Sequence, residues 1–303
     1  MMDRRTFLTA SAAAAGGAML GPMAASSTTA YSADGRPPDL MKAVKFNMID
    51  VDATVREKFA LLKELGFDGV EMHSPTDLSR QEVLDASRDV GLPIHGVVDM
   101  VHWNQPLSDP DPRVREAGRE GLRTALNDAA AWRASTVLLV PAVVTAEVPY
   151  DVAYERSQEE IRTMLPEAES LGVRIAIENV WNEFLLSPLE FARYIDEFES
   201  EWIGAYFDIG NVVAFGWPEH WIRILGARTL KLDVKEFSNE LRDEEGMGAG
   251  FRAPLGEGDV NWPGVLDALD DVGYSGWATA EIRGGGRERL AEIAVRMNRV
   301  LAL

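Results

Sequence analysis

From Ala43 onward, short runs rich in β-branched and apolar residues alternate eight times with stretches of helical periodicity, and few architectures bury both kinds of element in that order. The runs are AVKFNMI from 43, DGVEMH from 68, PIHGVVD from 93, TVLLVP from 136, VRIAIEN from 173, IGAYFD from 203, TLKLDV from 229 and GWATAEI from 276. Between them lie segments such as VREKFALLKELG and RQEVLDASRDVG, closing on Gly66 and Gly91, where a glycine readily takes the left-handed conformation that ends a helix. Eight such units predict a single-domain α/β fold, a (β/α)8 TIM barrel over residues 41–303. An open doubly wound sheet shares the alternation, but no G-x-G-x-x-G follows an early strand, and the GGG at 284–286 comes after the last one. Two loops on the side where barrel sites are built are long, residues 100–112 and 236–261.

Residues 1–30 read as an address. Arg4 and Arg5 precede Phe7, Leu8 and a mildly apolar Ala/Gly stretch, while Gly16, Gly17, Gly21 and Pro22 would break a continuing helix. The pattern resembles a twin-arginine (Tat) export signal, which implies a periplasmic or other extracytoplasmic location and no stable membrane insertion once the signal is cleaved. Residues 31–40 form a polar linker.

The formal net charge of −19 opposes nucleic acid, anionic membrane surfaces and highly phosphorylated substrates, and favours a neutral small molecule. The absence of cysteine excludes disulfides, thiolate metal sites and a cysteine nucleophile. Self-association into a homo-oligomer stays open.

Strands of a parallel barrel pack one face on helices and point the other into the lumen. In VRIAIEN, the aliphatics Val173, Ile175 and Ile177 suit the helix layer, which turns Glu178 inward. The same parity turns Asp208 inward in IGAYFD, Lys231, Asp233 and Lys235 in TLKLDVK, and Glu281 in WATAEI. Four carboxylates from strands five to eight therefore converge. Like charges at such spacing need neutralising by protons or by a cation, and an all-oxygen set suits Mg²⁺ or Mn²⁺, with Ca²⁺ a further candidate, better than Zn²⁺.

At these residues the chain resembles the sugar phosphate isomerase/epimerase group of xylose-isomerase-like TIM barrels, closest to its ketose and ketose-phosphate 3-epimerase branch. The resemblance runs from 43 to 300 and rests on IENVWNEFLLSPLEFARYIDE, YFDIGN, KLDVKEF, GEGDVNWPGVLDALDDVGYSGW and TAEI. It implies a divalent-metal enzyme, with Glu178, Asp208, Asp233 and Glu281 as ligands and Glu178 and Glu281 as the catalytic acid–base pair. The implied chemistry is proton transfer beside a carbonyl through a metal-bound enediolate, on an unphosphorylated ketose or keto-sugar. The same intermediate could expel a β-substituent, which makes a lyase or dehydratase acting on a 3-keto-glycoside or keto-polyol the alternative. A barrel that binds carbohydrate without catalysis is a second one.

One departure stands inside KLDVKEF. The family usually has His-x-Lys-Asp where this chain has Asp233-Val234-Lys235-Glu236, so the site is more negative, and Lys231, Lys235 and Arg283 are the nearest basic residues to compensate. Glu71, His73, His102, Trp103, Trp181, Asn182, Asn211, Lys235 and Arg283 are the candidate substrate contacts. His95 and His220 read as structural.

Overall fold

The computed structural model describes residues 39–303, so the expected export signal and nearly all of the expected linker lie outside the described residues. Eight parallel strands close into a barrel in sequence order, each neighbour hydrogen-bonded to the next and β8 to β1. The strands are β1 (Leu40–Lys45), β2 (Gly69–Ser74), β3 (Ile94–Asp99), β4 (Thr136–Leu139), β5 (Arg174–Glu178), β6 (Ile203–Asp208), β7 (Thr229–Val234) and β8 (Gly276–Ala280). Outside them lie α1 (Val55–Glu64), α2 (Arg80–Val90), α3 (Pro112–Trp132), α4 (Tyr150–Leu171), α5 (Pro188–Asp196), the one-turn α6 (Gly210–Val213), α7 (Pro218–Leu225), α8 (Asn239–Glu245), α9 (Trp262–Asp271) and α10 (Arg287–Leu301). The barrel is thus the expected single-domain (β/α)8 fold. Two boundaries move. Leu40, expected in the linker, already pairs with Gly276, and β1 stops at Lys45 rather than running through Ile49. Phe46–Met48 turn over the rim as a 3-10 helix, and Ile49 bridges to Gly285.

Local chemistry explains the helix ends. Thr54 and Glu57 form a reciprocal capping box on α1, and Ser79 and Ser187 accept from the backbone of Glu82 and Glu190 at the starts of α2 and α5. Gly91 and Gly172 end α2 and α4 with φ of 68°. Apolar faces of strands and helices meet in one core that runs around the barrel.

Inside the lumen a smaller layer of Leu138, Ala176 and Tyr206 fills the middle. Beneath the mouth, His95 stacks on Trp277 at 4.5 Å, its Nε2 lies 3.1 Å from Thr279 Oγ1, and Tyr206 donates to the same hydroxyl at 3.0 Å. Gly96 makes room for this floor: a Cβ there would stand 2.7 Å from Glu71 Oε1 and 3.1 Å from Thr136 Oγ1. Gly96→Val should overpack the floor and cost about 1–3 kcal/mol, read as a lowered unfolding midpoint in denaturant. An unchanged midpoint would show that the floor yields.

Candidate active site

Barrel register builds the site. Asp208 on β6 stands directly beside Asp233 on β7, and Glu178 at the end of β5 lies beside Tyr206, one rung lower. Glu281 follows β8, its backbone N–H donating to Val234 O at 3.2 Å. The four side chains meet: one oxygen from each lies within 4.8 Å of the others. Glu178, Asp208 and Asp233 are buried, and the Glu281 side chain is one-third exposed.

Two lysines enter this cluster. Lys235 Nζ lies 2.8 Å from Asp208 Oδ2 and 2.7 Å from Glu281 Oε2, as parity on β7 suggests. The other is Lys45 of β1, which none of the sequence patterns singled out. Its Nζ lies 2.9 Å from Asp233 Oδ2, 3.1 Å from Glu281 Oε1 and 3.9 Å from Glu71 Oε2. Lys231, expected to help balance the site, sits deeper. Its Nζ lies 2.9 Å from His95 Nδ1 and donates to the His95 carbonyl.

These placements divide the ionisation of the two glutamates. Burial favours the neutral form of both. For Glu281 the ammonium groups of Lys45 and Lys235 outweigh burial and hold the carboxyl far below its usual range. Among the described residues Glu178 forms no ion pair, and burial, reinforced by the charge of Glu281, pushes it well above that range against the weaker pull of Lys45 and Lys235. Burial also pushes Asp208 up to about 6, against the pull of Lys235. Burial works against the charge of Lys45, but Asp233, Glu281, Glu71 and Glu178 together keep it protonated, well above the usual lysine range. Lys231, with burial opposed only by Glu71, falls to about 7.

The residues fit a divalent cation. Among the described residues Asp233 Oδ1 is buried without a hydrogen-bond partner, and Asp233 belongs to the converging carboxylate set. Hard oxygen donors of this kind suit Mg²⁺ or Mn²⁺.

Above the cluster opens a cavity of about 350 Å³. Its polar lining includes Lys45, Glu71, His73, His102, Glu178, Asn211, Lys235 and Glu281, and its aromatic walls are Phe46, Trp103, Trp181 and Phe251. Of the candidate substrate contacts, Glu71, His73, His102, Trp103, Trp181, Asn211 and Lys235 thus reach the cavity. His102 accepts from the Val140 N–H through Nδ1 at 3.2 Å, and burial lowers its pKa to about 3, so it enters the cavity as a neutral ring. Trp181 is fixed by a 2.9 Å bond from its indole N–H to Asn211 O and by packing on Phe251.

Two expected contacts do not line it. Asn182 is buried in the following loop, where it donates to Ala142 O at 2.7 Å and accepts from Phe184 N, so its amide is consumed by backbone. Arg283 is exposed. Glu236, next to Lys235, also turns away: its carboxylate accepts from Gly256 N, Val260 N and the Trp262 indole and so anchors the long loop after β7.

A model of the xylose isomerase-like TIM barrel family matches residues 59–300, and the chain belongs to that family. The L-ribulose-5-phosphate 3-epimerase UlaE of Salmonella heidelberg (strain SL476) is 26% identical over 242 residues, covering 73% of this chain and 79% of its own. Among solved structures, the 3-keto-D-glucoside 4-epimerase YcjR of E. coli superposes with a TM-score of 0.73 at 15% identity, covering 88% of this chain and 100% of its own. The D-allulose 3-epimerase of a Methylomonas species does so with a TM-score of 0.70 at 16% identity, over 87% and 99%.

Asp99, at the end of β3, is buried with Oδ2 unpartnered among the described residues, and burial raises its pKa to about 7, opposed by the Val101 N–H. The unfolded chain releases this proton near pH 4 (about 3.9 for an unperturbed Asp). Between those values the folded protein holds the extra proton, so Asp99 costs stability progressively as pH rises and fully above about 7. Asp99→Asn should therefore raise the melting temperature at pH 8 and change it little at pH 4. An equal effect at both would contradict the assignment.

Proposed function

We propose that this protein is a sugar epimerase or isomerase that moves a proton on and off a carbon beside the carbonyl of an unphosphorylated ketose or keto-sugar. The observation that carries this reading is the convergence of four carboxylates beneath one cavity: one oxygen each of Glu178, Asp208, Asp233 and Glu281 lies within 4.8 Å of the others, and the two glutamates face the cavity. Two carboxyl groups that face one substrate site can divide the work of base and acid. One of the two glutamates takes the proton from the carbon, and the other returns one. A divalent cation held by Glu178, Asp208, Asp233 and Glu281 would supply polarisation of the carbonyl and the neighbouring hydroxyl. Lys235, paired to Asp208 and Glu281, keeps both carboxylates aimed at that point.

Several features support an uncharged substrate. Among the described residues no arginine lines the cavity, and its lysines are already engaged by carboxylates. The chain's net charge of −19 repels phosphate esters. The paired arginines of residues 1–30 support export, and among the described residues no helix is long and apolar enough to cross a membrane. A second reading, β-elimination from a 3-keto-glycoside, is favoured by the exposed ring of Trp103 at the cavity rim, where an aglycone could stack.

Purified protein incubated in D₂O with Mn²⁺ or Mg²⁺ and a panel of free ketoses and 3-keto-glycosides separates these outcomes. Deuterium at the carbon beside the carbonyl in recovered sugar supports the epimerase or isomerase; an unsaturated product supports elimination; no exchange and no product across the panel would sink both. Glu178→Gln and Glu281→Gln should each slow exchange by about 10²–10⁴-fold, and full activity in either would remove that residue from the acid–base pair.

A further inference from the structure

Lys45 is the one basic residue of the cluster contributed from the opposite end of the chain, and its contacts divide the carboxylate oxygens in a specific way. It takes Asp233 Oδ2 and Glu281 Oε1, while Lys235 takes Glu281 Oε2 and Asp208 Oδ2. Both oxygens of Glu281 are therefore in contact with ammonium groups, and Glu281 bridges the two lysines. Asp208 Oδ1 accepts from Asn211 N at 2.8 Å, and among the described residues Asp233 Oδ1 has no hydrogen-bond partner. Lys45 is almost wholly enclosed, its side chain 8% exposed, and it faces the same cavity as the carboxylates.

We propose that Lys45 is an internal counter-cation of the carboxylate cluster, a positioning residue that holds Asp233 and Glu281 together and sets how tightly the site takes a divalent ion. Its ammonium does part of the neutralising that an ion would otherwise do. An incoming ion must share Asp233 and Glu281 with it and approach a fixed positive charge in a poorly screened site. Two consequences follow. The cluster stays organised with no ion bound, because the Lys45–Glu281–Lys235 bridge links three of the four carboxylate-bearing strand ends to one another and to β1. Removing the ammonium should leave the carboxylates under-neutralised, and the site should then bind divalent ions more tightly and depend on them for stability.

The proposal rests on reading the four-carboxylate cluster as a cation site, and the experiment separates the two. Mn²⁺ binding to the purified chelator-treated protein is measured by titration calorimetry and by loss of the free-Mn²⁺ electron paramagnetic resonance signal. Melting temperatures are recorded with EDTA and with Mn²⁺. Lys45→Met should tighten Mn²⁺ binding at least tenfold and widen the gap between the two melting temperatures, whereas Lys45→Arg, which keeps the charge, should stay within about threefold of the wild type. Lys45→Gln repeats the comparison should the methionine variant fail to fold. Mn²⁺ affinity unchanged or weakened in the variant lacking the charge would overturn the role of Lys45. Absence of Mn²⁺ binding by the wild type together with both neutral variants would instead overturn the cation-site reading beneath it.

Discussion

The structure turns on the cost of placing four carboxylates at the mouth of one barrel. Ionised together and partly dry, Glu178, Asp208, Asp233 and Glu281 repel one another, and each must be answered by a proton, an ammonium group or a metal ion. The chain uses lysines for part of the answer. Lys45 and Lys235 clamp Glu281 from both sides and reach Asp233 and Asp208 beyond it. Among the described residues Glu178 forms no ion pair, and burial pushes its carboxyl well above the usual range, while the two lysines hold Glu281 well below it.

The barrel makes this economical to build. Parallel register sets Asp208 against Asp233 and Lys45 against Glu71, and closure of β8 on β1 carries Lys45 to within ion-pair distance of Glu281. Below, His95, Trp277, Thr279 and Tyr206 form a hydrogen-bonded and stacked floor that keeps the cluster at the mouth. Above, Trp103, Trp181, Phe46 and Phe251 give the cavity apolar walls suited to the faces of a sugar ring, while His102 and Asn211 offer neutral polar groups.

Much of this was legible in the sequence because barrel strands obey a period of two. Alternation alone gave the eight strands, and the parity of VRIAIEN, IGAYFD, TLKLDV and WATAEI named the four carboxylates and Lys235. Lys45 was not legible, because its cluster partners Asp233 and Glu281 lie 188 and more residues away and meet it only through barrel closure. Lys231 shares the parity of Asp233 but sits two residues earlier on the strand, which puts it about 6–7 Å deeper, among His95 and Glu71 rather than at the mouth. Asn182 and Arg283 follow strand ends, where parity no longer holds: loop backbone captures the first and the second is exposed to solvent.

The central claim is that the carboxylate cluster holds a divalent ion at the point where the two glutamates face the cavity. Anomalous diffraction at the manganese edge from crystals grown with Mn²⁺ tests it most directly. A single strong peak bounded by oxygens of Glu178, Asp208, Asp233 and Glu281 at about 2.0–2.4 Å, the range of hard-cation oxygen ligands, is the expected result. Ordered crystals in saturating Mn²⁺ with no peak there, and Lys45 and Lys235 still bridging Glu281, would contradict it.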